Sequence, residues 1–169
     1  MTEELLKEFK EHSTYRIERN TPRIVTCLGQ LSEDEVWQRP NESSNSVGNL
    51  ILHLCGNITQ YIISSIGHQP DNRDRDTEFL TTGGFTKREL LDKLGDTVLE
   101  AVRVINEASI EELLRVRTVQ GYTYSGIGNI IHVTEHYSYH TGQIAFWTKL
   151  LKNKDLGFYA NINLNAKNE

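Results

Sequence analysis

The chain has six histidines, and three of them, His132, His136 and His140, stand four residues apart within GNIIHVTEHYSYHTGQIAFWTKLL. This stretch, Gly128 to Leu151, reads as a helix, on which neighbours at i and i+4 project from one face a turn apart. Imidazole is the commonest metal-binding side chain, and an i, i+4 pair can hold one ion. The first and third rings are separated by about 12 Å along the axis, with roughly 40° of drift at each step. One ion can therefore take two of the three, and the spacing alone leaves open which two.

A fourth histidine, His53, lies in the middle of VGNLILHLCGNITQYIISSIG, which is apolar nearly all round. A lone histidine in such a helix is more often a satisfied core residue. The i, i+4 histidines on another inward-facing helix turn that reading toward a metal. Three imidazoles from two helices leave a fourth coordination position open, which is the catalytic rather than the structural pattern. Cysteine does not complete the set: Cys27 and Cys55 are far apart in apolar settings, and no C-x-x-C occurs. Cys55 is two residues from His53, on a different helical face. His12 has no partner nearby in sequence.

These residues need helices to position them, and the apolar periodicity predicts four long ones. Residues 2–29 carry Leu6, Phe9, Ser13, Ile17, Asn20, Ile24 and Leu28 at steps of three and four, with a kink or break expected at Pro22, near Arg19–Thr21. Ser32 with Glu35 predicts a capping box on a short helical turn, and Ser46 an N-cap for the second long helix, ending at Gly67. Residues 68–85 read as a charged loop without a helical stripe. Thr86 and Glu89 cap the third long helix, to about Glu107, and Ser109–Leu114 reads as one further turn. RVRTVQGYTYS is extended or a short hairpin around Gly121. The fourth long helix covers about Ile127–Lys152, and a polar tail, 153–169, is expected to pack loosely. VGNLILHL and IGNIIHV echo each other and mark the second and fourth long helices as counterparts. The fold class is all-α, a four-helix bundle over residues 1–152 with long crossover loops.

The pattern of a histidine in the second long helix and a late H-x-x-x-H-x-G-Q resembles the DinB/YfiT-like superfamily. The matching residues are His53 and His136, His140, Gly142 and Gln143. NSVGNLILHLCGNITQYI and DNRDRDTEF further resemble a subfamily of uncharacterised function. The resemblance covers the chain to about residue 152 and implies a four-helix bundle with a three-histidine metal site, frequently a homodimer. By it the ligands are His53, His136 and His140, with His132 a supporting residue. Asn49 and Asn57, four residues either side of His53, and Gln143, three after His140, are candidates to orient the ligand rings, and Tyr139 and Tyr137 to donate to a bound oxyanion. A rival parse takes His132–Glu135–His136 as the H-x-x-E-H motif of metalloproteases, with Glu135 as base.

Superfamily members that transfer low-molecular-weight thiols to electrophiles make thiol S-transfer to a small-molecule substrate the leading expectation. Metal-water hydrolysis and a non-catalytic metal-binding or dimerising bundle are the alternatives. A three-histidine set suits several divalent ions, zinc and nickel foremost. Arg73 and Arg75 either clamp a carboxylate-bearing thiol or pair with Asp74, Asp76 and Glu78 in a solvated loop. The net charge of −5 argues against nucleic acid as a partner. No apolar run approaches the roughly 20 residues that cross a bilayer. Together with a mean hydropathy of −0.49 and an acidic amphipathic N-terminus, this points to a cytoplasmic protein without a membrane role.

Overall fold

The computed structural model describes residues 2–168. Helix α1 spans Thr2–Gln30 and buries Ser13, Ile17, Asn20, Ile24 and Leu28, the expected stripe. It runs unbroken through Pro22, so the break expected there is absent. Side chains around the proline tie the turns together: Asn20 Nδ2 donates to the Arg16 carbonyl and Thr21 Oγ1 to that of Ile17. Burial of Ile17 and Ile24 on either side holds both halves to the same core.

Capping boxes at Ser32/Glu35 and Thr86/Glu89 start α2 (Glu33–Trp37) and α5 (Lys87–Glu107), as their spacing predicted. Ser46 opens α3 (Val47–Ile58), which widens into a π-helical segment, Thr59–Ser64. The charged loop departs from its reading, because it contains a short helix, α4 (Arg75–Leu80), whose N-cap Asp74 accepts from the Thr77 backbone N–H. Six residues are too few to show a periodic apolar face. Helix α6 (Ile110–Leu114) follows from Ser109.

Strands β1 (Val116–Val119) and β2 (Tyr122–Ser125) form an antiparallel hairpin with Val119 opposite Tyr122. Its two-residue turn places Gln120 at φ 51° and Gly121 at φ 81°. Positive φ at both positions is the turn whose twist matches a hairpin. Helix α7 (Gly126–Lys152) begins at the Ser125 cap and ends at Asn153 in the left-handed region.

The four long helices are α1, α3, α5 and α7. Helix α1 packs on α7 and α5, and α3 packs on the same two, so α1 and α3 sit at opposite corners of the bundle. The two long connections are walls rather than excursions, α4 lying on α3 and β2 on α7. Most described residues of the tail are exposed, with a short anchored stretch near its start. Leu156 is buried, Phe158 leans on the core, and Arg23 stands over the rings of Phe158 and Tyr159. No described helix is long and apolar enough to cross a membrane.

Candidate metal centre

Helices α3 and α7 pack side by side and bring His53 to His136 and His140. One ring nitrogen from each of the three lies within 4.8 Å of the others. His53 and His140 are buried and His136 is half-buried. The Nε2 atoms of His53 and His136 are 2.8 Å apart, within hydrogen-bond distance. The rings of His136 and His140 meet edge to face, 4.4 Å between centroids.

The far nitrogens decide where the lone pairs point. His53 Nδ1 lies 2.8 Å from Glu78 Oε2, and Arg73 Nη2 lies 3.2 Å from the same nitrogen. An arginine can only donate and a carboxylate can only accept, so the two contacts demand opposite tautomers. The shorter one prevails, because Arg73 Nη2 is already donating to Glu78 Oε2 at 2.9 Å. Nδ1–H of His53 therefore donates to Glu78 and leaves Nε2 bare toward the cluster. His140 repeats the device, with Nδ1 at 2.6 Å from Gln143 Oε1, which leaves its own Nε2 free to accept.

Glu78 is in turn gripped by Arg73, whose Nε donates to Oε1 at 2.7 Å while Nη1 reaches Gln60 Oε1 at 3.0 Å. The side chains of this pair are 3% and 9% exposed, so it is an interior ion pair and not part of a solvated loop. Burial would raise the Glu78 carboxyl pKa, but the bonds from Arg73 and His53 outweigh it and hold it below the ordinary value. Gly56, one turn beyond His53, makes the approach possible, since a Cβ there would fall on the Glu78 carboxylate. The π-helical segment contributes Gln60, which braces Arg73, and Tyr61, whose ring packs 4.3 Å from that of His132.

Burial, followed by the neighbouring His140 and His53, pushes His136 down to about 3. Burial pushes His140 down to about 4, with Gln143 pulling the other way. Both rings are therefore neutral at pH 7, with lone pairs available. Burial also lowers His132. On the other face of α3, burial pushes the Cys55 thiol up to about 11, which keeps it protonated.

The remaining expected residues divide. Gln143 supports His140 as its spacing suggested. Asn49 does not reach His53: it sits at the third position of α3, where its Oδ1 accepts from the Ser46 N–H and its Nδ2 donates to the Glu78 and Thr81 carbonyls. Its part is to fasten α4 to α3. Asn57 turns to His132, with Nδ2 3.2 Å from Nε2, and its buried Oδ1 has no donor among the described residues. His132 itself stays outside the cluster, its ring stacked 5.4 Å from that of His136. Tyr139 is exposed, with its ring edge-on to His140 at 5.0 Å. Tyr137 is buried and its hydroxyl bonds Thr21, 2.8 Å away, so it offers nothing to the cluster. Glu135 lines a separate groove of about 830 Å³ between α1 and α7, beside Arg16 and Arg19. With Glu135 there and His132 outside the cluster, the H-x-x-E-H parse fails. Glu78 was not anticipated as a partner of His53, although it lies in the DNRDRDTEF stretch that carried the resemblance.

A four-helix bundle with three convergent imidazoles on two neighbouring helices defines a DinB-like fold with a candidate metal centre. The chain belongs to the family described as "Protein of unknown function (DUF1572)", whose model matches residues 4–162. Among solved structures it resembles a conserved protein from Enterococcus faecalis at TM-score 0.72 and 18% identity, over 85% of this chain and 97% of that one. It also shares the fold of a DinB-like protein, YjoA, from Bacillus subtilis, at TM-score 0.65 and 16% identity, over 90% and 96% of the two chains. No curated protein matches the sequence.

Proposed function

We propose that the chain is a divalent-metal-dependent enzyme that holds its ion through His53, His136 and His140 and transfers low-molecular-weight thiols to small electrophiles. The observation that carries this reading is the convergence of three imidazole nitrogens, two of whose rings, His53 and His136, line an open cavity of about 520 Å³. That volume falls in the range of small-molecule sites.

The donor set fits a divalent ion. Metal–nitrogen bonds of about 2.0–2.1 Å in a tetrahedral set place ligand nitrogens about 3.3 Å apart. The 2.8 Å between His53 and His136 must open slightly and the widest separation, within 4.8 Å, must close. Two of the three ligands already have their outer nitrogens bound, the arrangement that orients metal-binding histidines and raises their basicity. Neutral imidazoles suit zinc and nickel, as they do copper and iron. Once bound, such an ion supplies a Lewis acid that lowers the pKa of a thiol or water.

Everything else falls to the chain's own side chains. Glu78 and Gln143 fix the rings, and the Arg73 ion pair keeps Glu78 in place. Tyr122, Tyr124 and His132 form the cavity wall. Asn57, Gln120, Arg75, the tyrosines and His132 line the cavity, and the His132 imidazole is the group there that can take the proton of a bound thiol.

Assays on zinc- or nickel-loaded protein test the reading, with 1-chloro-2,4-dinitrobenzene as electrophile and cysteine or glutathione as thiol. Metal- and thiol-dependent loss of the electrophile, abolished in His53→Ala, is expected. Turnover of an ester or amide without thiol would point to hydrolysis instead, and inactivity throughout to a non-catalytic bundle. Homodimerisation is part of the proposal. It is supported by Ile131, Tyr139, Phe146 and Leu150, all more than half exposed along one side of α7.

A further inference from the structure

Arg73 and Arg75 are two residues apart and have different fates. Arg73 is consumed by Glu78 in the interior. Arg75 is exposed, lines the cavity above the histidines, and is the one formally charged side chain of that lining. Its guanidinium stands 4.9 Å over the ring of Phe79, and that ring is 4.7 Å from the ring of His53. The cation is thus held at the mouth, no farther from His53 than those two distances combined. Among the described residues no carboxylate forms an ion pair with it, its two sequence neighbours included: Asp74 caps α4 through Thr77, and Asp76 makes no ion pair with it. An aromatic platform fixes the guanidinium plane and leaves its donor fork open.

Aromatic rings make up another part of the lining. The rings of Tyr122 and Tyr124 stack 5.9 Å apart at 6°, and Tyr124 continues onto His132 at 6.3 Å and 26°. A planar group can pack against these rings. A single arginine balances a single negative charge, and its fork matches a carboxylate in bidentate fashion. A phosphate monoester would bring a second charge, and the lining holds one cationic side chain.

We propose that this cavity binds a small aromatic or unsaturated carboxylate, its carboxylate on Arg75, its flat part along Tyr122 and Tyr124, and its other end directed at the histidines. The orientation rests on the metal-site reading, but the Arg75 contact does not.

Two titrations separate the claims. Benzoate is titrated into the metal-free chain by calorimetry, with wild type, Arg75→Gln and Arg75→Lys. Wild type is expected to bind at least tenfold more tightly than Arg75→Gln, with partial recovery in Arg75→Lys. The cobalt-loaded chain is then titrated with 4-mercaptobenzoate and with thiophenol, read by the thiolate–cobalt charge-transfer band. The carboxylate is expected to confer roughly tenfold tighter binding in wild type and none in Arg75→Gln. No Arg75-dependent binding of either benzoate or 4-mercaptobenzoate would overturn the proposal. Arg75-dependent benzoate binding without any cobalt–thiolate band would uphold it and overturn the thiol-transfer reading.

Discussion

His53 and Glu78, 25 residues apart in sequence, meet at 2.8 Å in the interior, the imidazole Nδ1–H donating to the carboxylate. This contact joins the bundle to the α4 wall and determines which nitrogen His53 turns to its neighbours. A histidine in an apolar helix thereby becomes a directed electron-pair donor.

Replacing Glu78 with Gln keeps the shape and removes the charge. Metal affinity, measured by competition with a chromophoric chelator, is expected to fall by about 10–100-fold, the usual effect of losing a ligand-orienting carboxylate. Arg73 would also lose its buried partner, and melting should shift downward, since breaking an interior ion pair from one side typically costs about 3–5 kcal/mol. Unchanged affinity in Glu78→Gln would show that the His53 ring is oriented by something else.

Gly56 permits the same contact without touching any histidine. Gly56→Ala sets a methyl against the Glu78 carboxylate and is expected to destabilise the fold by about 1–3 kcal/mol, as overpacking does, and to weaken metal binding with it. Gly29 is the control, a helical glycine with nothing near its missing Cβ. There the same change should stabilise by about 0.5–1 kcal/mol. Equal melting shifts in the two variants would contradict the crowding at Gly56.

The bundle and its histidines were legible because their signals are local. Ser46, Thr86 and Glu89 announce helix starts through contacts three residues away, and an i, i+4 pair is visible in any helical stretch. Asn49 has the same sequence distance from His53 as Asn57 does, yet each serves another group, because a helix start and His132 compete for them. Glu78 was hidden for a different reason. Its role depends on a six-residue helix folding back onto α3 and on the space left by Gly56, and neither leaves a periodic trace. Pro22 misled in the opposite direction, since a break was expected where tertiary packing holds the helix together.

Acidity should weaken the metal-free fold through His136 and His140. Their pKa values are held near 3 and 4 in the folded chain, against an ordinary value of 6.5. Below pH 6.5 the unfolded chain takes up protons that the folded chain refuses. The stabilisation is therefore complete above that value and is lost as pH falls toward 4. The melting temperature of metal-free protein is expected to drop between pH 7 and pH 5, and the drop should be shallower in a His136→Gln/His140→Gln double variant. Parallel pH profiles for the two proteins would contradict the burial of neutral rings.

The most direct measurement is the metal content of protein purified without chelator, by inductively coupled plasma mass spectrometry, for wild type, His53→Ala and His132→Ala. Circular dichroism would confirm that all three are folded. About one divalent ion per chain is expected in wild type and in His132→Ala, with close to none in His53→Ala. Equal metal content in wild type and His53→Ala would contradict the assignment of His53, His136 and His140 as a metal centre.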